Sequence, residues 1–217
     1  MTSPVVPEES SKINPLPSVS KNTQVNEKKT VNIKISMLGD SAIGKTTLMN
    51  KYVEGKLQED YIETLGVNFM EKNITGKNTD INFTIWDLGG QKEYYTMMDI
   101  VCNGADVILF MFDLTRIMTL EDIKDWYKNA RKLNKTAIPF LIGTKFDLFF
   151  EMEKEYKDKI MKISQQYAIA MKSPLIYCSS TKSINIKNIF KIIVSKMFSV
   201  KCDVKQTNTA DTPIILY

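Results

Sequence analysis

Between Gly39 and Thr47 the chain reads GDSAIGKTT, which fits G-x-x-x-x-G-K-[ST] with Gly39, Gly44, Lys45 and Thr46. In such a loop the backbone N–H groups of Asp40, Ser41, Ala42, Ile43 and Gly44 converge on phosphate oxygens, and the following helix aims its positive end at the same place. Lys45 would reach the terminal phosphates, Thr46 would hold Mg2+, and Thr47 would join the loop in binding the nucleotide. A short pattern arises by chance, so its setting matters. Upstream, Val31, Ile33, Ile35 and Met37 alternate with polar residues as a strand does, and downstream Leu48, Tyr52 and Val53 take helical spacing. Strand, loop and helix therefore frame the motif, which by itself leaves ATP and GTP both open.

Further chemistry-bearing residues close other apolar runs. WDLGGQ puts Asp87 where a carboxylate can serve a metal shell, Gly90 where a backbone N–H can meet a terminal phosphate, and Gln91 where an amide can orient an attacking water. A plain strand-ending turn and a helix-start glutamine are the structural alternatives for Asp87 and Gln91. GTKFD supplies Thr144, Lys145 and Asp147; an aspartate accepts two hydrogen bonds from guanine's ring N–H and amine, a donor pair that adenine lacks. SSTK follows, with a backbone N–H near Ser180 and Thr181 for the guanine O6 and Lys182 to cover the ring. Six of the chain's nine glycines fall in these loops or motifs.

The elements that must position these groups follow from periodicity. VNFMEKNIT and INFTIWD are joined by GKNTD, a connection too short for anything but an antiparallel pair. DVILFMFDLT, IPFLIGTK and PLIYCSS are continuously apolar, as strands buried on both faces are. Leu120, Ile123, Trp126, Tyr127, Ala130 and Leu133 share one helical face, which Thr119 with Asp122 would cap. Helices are also expected over 151–171 and 186–197. The pattern predicts an α/β fold with a doubly wound, mostly parallel six-stranded sheet, one antiparallel edge strand, helices on both faces and a ligand beyond the strands' carboxyl ends.

Composition narrows the class. The 217 residues suffice for one domain and carry a net charge of +4 with signs interspersed, so no basic face points to nucleic acid. There is no histidine, and Cys102, Cys178 and Cys202 lack metal spacing, so zinc or histidine-triad chemistry is excluded and three free thiols are expected. Four of the seven prolines lie in the first 30 residues, which hold no aromatic residue or glycine. The division expected is a disordered tail over 1–30, a folded domain over 31–198 and a C-terminal tail over 199–217. No signal peptide or membrane-spanning run is read, and the ending ADTPIILY carries no prenylation cysteine.

Residues 32–198 resemble a Ras-superfamily small GTPase, a P-loop NTPase G domain. The resemblance implies that Thr64 in ETLGVNF is the switch I threonine, that DLGGQ is switch II, and that Thr46, Thr64 and Asp87 hold Mg2+ while Gln91 and Lys45 serve GTP hydrolysis. TLGVNF, FDLTR, TAIP, GTKFDL and KSINIKNIFKI further resemble the fungal septum-promoting or mitotic-exit subfamily. That likeness implies a cytoplasmic monomer recruited to the spindle pole body without a lipid anchor. It also implies control by a two-component GTPase-activating complex and readout by a protein-kinase cascade that triggers septation. Departures are Thr144 for the family's usual asparagine, Thr181 for its usual alanine, Ser41 for the glycine of Ras itself, and Leu57 where relatives commonly place an aromatic residue against the guanine; the last leaves two readings open, readier nucleotide exchange or a space filled by Tyr61 or a shifted loop. A P-loop metabolite kinase would need an arginine-rich lid, and this chain has only Arg116 and Arg131. A GTP-holding module without hydrolysis remains the other alternative, against which Gln91 stands.

Overall fold

The computed structural model describes residues 28–57, 63–209 and 212–217. Alternation in the first strand and continuous apolar runs in the later ones set up a central sheet. The elements run β1 (Lys29–Leu38), α1 (Lys45–Val53), β2 (Val67–Thr75), β3 (Thr79–Leu88), a 3-10 helix (Lys92–Met97), α2 (Met98–Cys102) and β4 (Val107–Asp113). They continue with α3 (Ile117–Glu121), α4 (Ile123–Leu133), β5 (Ile138–Thr144), α5 (Phe146–Phe150), α6 (Lys154–Met171), β6 (Leu175–Tyr177), α7 (Ile186–Phe198) and β7 (Ile215–Leu216).

The sheet order is β2-β3-β1-β4-β5-β6-β7. β1 pairs parallel with β3 and β4, and β4, β5 and β6 continue in parallel, while β2 runs antiparallel to β3. Side chains of β4 show how one strand feeds two cores. Val107, Leu109 and Met111 join the layer with Leu48 of α1 and Ile189 and Phe190 of α7. Ile108, Phe110 and Phe112 join the layer with Val101 of α2, Trp126 of α4 and Ile160 of α6. Burial on both faces is what made this strand uniformly apolar.

Three differences from the sequence expectation have local causes. The sheet has seven strands, because residues treated as a tail return to pair β7 antiparallel with β6. Ile214 and Ile215 are 1% and 4% exposed, and Tyr177 N–H donates to the Ile214 carbonyl at 2.9 Å. The sheet thus has an antiparallel strand at each edge. The helix expected from Thr119 is divided into α3 and α4, since the Thr119 hydroxyl donates to the Arg116 carbonyl and accepts from the Asp113 N–H, leaving nothing to cap α4. Leu133, expected on the buried face, is 46% exposed at the end of α4. The first 27 residues of the expected N-terminal tail lie outside the described residues.

Ile214→Ala tests whether the returning segment contributes to the fold. Truncating a buried isoleucine should cost about 2–5 kcal/mol in urea unfolding, whereas a segment lying free in solvent would show no change.

Candidate functional site

The carboxyl ends of β1, β3, β5 and β6 bring the expected motifs to one edge of the sheet. Here the loop Gly39–Gly44 is fixed by its carbonyls. The Lys45 ammonium donates to the Gly39 and Asp40 carbonyls, both at 2.8 Å. Arg116 donates to the Ser41 carbonyl at 3.1 Å, Lys145 to that of Ala42 at 2.8 Å, and the Thr144 hydroxyl to that of Ile43 at 2.6 Å. In a planar trans peptide the C=O and the next N–H point in opposite directions. Holding three carbonyls toward Arg116, Lys145 and Thr144 therefore turns the N–H groups of Ala42, Ile43 and Gly44 the other way, as an anion nest requires. Ala42 and Lys145 both sit at positive φ, 56° and 60°, a conformation uncommon for residues with a Cβ.

The DLGGQ turn after β3 closely approaches this loop. A Cβ on Gly90 would lie 2.1 Å from the Asp40 carbonyl carbon and the Ser41 nitrogen, so only glycine fits. Gln91 precedes the 3-10 helix, and its amide nitrogen donates to the carboxylate of Glu63, the neighbour of Thr64.

The expected metal-binding trio is also together. The Thr46 and Thr64 hydroxyls are 2.7 Å apart, Thr46 donates to Asp87 Oδ2, and Thr64 reaches the same oxygen at 3.4 Å. Asp87 is fully buried and its Oδ1 has no hydrogen-bond partner. Burial pushes the Asp87 carboxyl above its ordinary value, against the field of Lys45 and the hydroxyls. It pushes the Lys45 ammonium below its own, against Asp87 and Asp40. An all-oxygen set with an orphaned carboxylate oxygen fits a hard divalent cation, whose charge would offset that burial.

At the far side, Asp147 lies in the first turn of α5 and its Oδ2 accepts from the Thr181 hydroxyl at 2.9 Å. Thr181 and Ser179 are hydrogen-bonded at 2.9 Å, and the Lys182 N–H donates to Ser179 at 3.1 Å. Ser180 lies in the same turn, its carbonyl accepting from the Ser183 N–H. Thr181 thus supplies a hydroxyl that orients Asp147. The ammonium of Lys145, expected with Asp147 at the nucleotide, is bound to the Ala42 carbonyl and to Asp113. Asp40 is turned away from the loop interior, accepting from the Trp126 indole N–H at 2.8 Å. Leu57 is 37% exposed just before residues 58–62, which lie outside the description.

Asp113, Arg116, Glu63 and Trp126 were given no role in the site from sequence. Asp113 left a signal: a lone carboxylate closing the all-apolar strand VILFMFD. Its side chain is 1% exposed and accepts from Lys145 at 2.8 Å, Arg116 at 2.9 Å, and the Thr115 N–H and hydroxyl at 2.9 and 2.7 Å. Burial alone would raise its pKa, but Lys145 and Thr115 together hold it below the ordinary carboxylate value.

This strand-ended loop, with its helix, lysine and oxygen trio, defines a P-loop nucleotide-binding domain. The model of the Ras family matches residues 34–199. Over 190 residues, 88% of this chain and 96% of the relative, the sequence is 52% identical to septum-promoting GTP-binding protein 1 of Schizosaccharomyces pombe. The chain belongs to the Ras family and is a small GTPase. Among the described residues no helix is long and apolar enough to cross a membrane.

Asp113→Asn should lower stability by about 1–2 kcal/mol at pH 7, discounted for the partial exposure of its lysine and arginine partners. The folded pKa is depressed, so this contribution is present above the ordinary carboxylate range near pH 4 and is lost as pH falls through the folded value. Urea midpoints of variant and wild type should therefore converge in acid, and a pH-independent gap would count against the ion-pair account.

Proposed function

We propose that this GTPase is a guanine-specific switch that controls septation at mitotic exit. The observation that carries the site reading is the meeting of Thr46, Thr64 and the orphaned Asp87 oxygen beside a loop whose N–H groups are turned inward. Thr46, Thr64 and Asp87 would hold Mg2+ there. When bound, the ion neutralises charge on the terminal phosphates.

The chain's own groups account for the rest. The N–H groups of Ala42, Ile43 and Gly44 cradle phosphate, with Asp40, Ser41 and Thr47 framing the loop, and Lys45 moves its ammonium from the Gly39 and Asp40 carbonyls to phosphate oxygens. Gly90 offers its N–H to the third phosphate. Gln91 is tied to Glu63 through its nitrogen, which leaves its oxygen to accept from the attacking water. Asp147, steadied by Thr181, accepts from guanine, with the Ser180 turn at O6 and Lys182 over the ring. Thr144 and Lys145 act by shaping the P-loop. Thr64 and Gly90 lose a common contact when the third phosphate leaves, so both switches relax.

Support for the cellular role is the relative named for promoting septa, together with the subfamily resemblance. These favour a two-component GTPase-activating complex as regulator, an effector protein kinase as reader and the spindle pole body as the recruiting site. The chain's arginine nearest the phosphate loop, Arg116, is engaged by Asp113 and Ser41. An arginine from the activating partner would raise hydrolysis by about 10³–10⁵.

Asp147→Asn should weaken GTP binding by about 10²-fold or more, since two hydrogen bonds to a charged acceptor contribute about 1.5–3 kcal/mol each, and should improve xanthine nucleotide binding. Equal affinity of the wild type for ATP and GTP would overturn guanine specificity. Depletion in the parent cell should give nuclear division without septa; normal septation would reject the cellular role while leaving the GTPase reading intact.

A further inference from the structure

On the sheet face that carries α1 and α7, well apart from the oxygen trio, an open groove of about 1100 Å³ runs alongside α7. One wall is α1, another the β2–β3 hairpin, and the third is the segment following α7. That segment is fixed in place: the Val200 N–H donates to the Ser195 carbonyl at 3.1 Å, and the Ser195 hydroxyl donates to the Val200 carbonyl at 2.6 Å. The floor is apolar, formed by Ile81, Val194 and the stacked pair Tyr52 and Phe190, whose ring centroids are 3.4 Å apart. Around it stand Lys51, Lys72, Lys187, Lys191 and Lys201 against a single acid, Asp203. That acid is 3.9 Å from Lys191 with both side chains largely in solvent, a pair of little strength.

From these features we propose that the groove is a docking site for an acidic, amphipathic helix of a partner protein. Shape and charge select this occupant. The volume, about 1100 Å³, lies at the upper edge of the roughly 300–1,000 Å³ of small-molecule pockets and leaves the choice to them. The length of α7, 13 residues, corresponds to about 20 Å at the helical rise, enough for three to four turns of a helix laid alongside. A concave floor of aromatic and branched side chains meets apolar residues at i, i+3, i+4 and i+7, which a flat lipid surface cannot present. Five lysines on the rim call for carboxylates flanking that apolar stripe, and their field favours rapid, salt-sensitive association. None of the groove residues belongs to the phosphate loop or the switches, so docking here leaves both switches free for a second protein.

Cys202 provides a probe, because it lines the groove and is partly exposed while Cys102 and Cys178 are fully buried. The full chain is mixed with a synthetic 14-residue helix-forming peptide carrying leucine on one face and glutamate on its flanks. Alkylation of Cys202 by neutral iodoacetamide is followed by mass spectrometry. The expected result is saturable protection of about fivefold or more, weakened about tenfold by raising salt from 50 to 500 mM and lost in Lys187→Glu/Lys191→Glu with GTP hydrolysis unchanged. That variant should instead be protected by the matching leucine-lysine peptide, a reversal that misfolding cannot produce. Equal protection by both peptides of the wild type, or none by either, would overturn the proposal. So would protection by phosphatidylserine vesicles in place of the peptide, or concentration-dependent protection with self-association in sedimentation, which would assign the groove to lipid or to a second copy.

Discussion

The site depends on where five successive carbonyls point. From Gly39 to Ile43 every backbone oxygen is engaged by a side-chain donor: two by Lys45 from inside the loop, and one each by Arg116, Lys145 and Thr144 from outside. For the three carbonyls held from outside, peptide planarity turns the N–H groups of Ala42, Ile43 and Gly44 inward without any ligand contributing, and this is preorganisation in the sense that matters for binding charge. The three outside donors belong to the ends of β4 and β5, so the loop is held by the same parallel strands that build the core. Asp113 binds two of those donors, Lys145 and Arg116, into one unit. Its burial, costly for an unpaired carboxylate, is offset by four hydrogen bonds.

A second constraint links the switches. Gly89 N–H donates to the Gly66 carbonyl at 2.8 Å, Gln91 to Glu63, and Tyr95 lies with its ring centroid 4.4 Å from that of Trp126, which itself holds Asp40. Switch II thus touches both switch I and the P-loop through different residues. A movement at Gly90, already at closest approach to Asp40 and Ser41, has little room to remain local.

The readable parts were those whose chemistry demands a residue type at a fixed spacing. Gly44, Lys45 and Thr46 must be consecutive to serve one loop, and β4 must be apolar throughout because both of its faces are covered. Asp113, Arg116 and Trp126 were not readable because their roles arise from partners far along the chain, and an aspartate after an apolar strand has an ordinary meaning as a turn residue. The bonds of the Lys145 ammonium to the Ala42 carbonyl and to Asp113 were not legible, since spacing gives neighbours and not direction. β7 was missed because two residues of strand give no period; their burial comes from the exposed edge that β6, itself three residues long, would otherwise leave.

The outside clamps of the P-loop span 75, 103 and 101 residues of chain. Loop, helix and first strand can form early as the chain leaves the ribosome, but the phosphate cradle cannot, because its last outside donors, Thr144 and Lys145, lie at the end of β5. Closing such separations is entropically slow. Nucleotide is therefore unsuited to act as an early template for this domain; its binding free energy is available only to a chain already folded through β5, where it acts as a late lock on the native state.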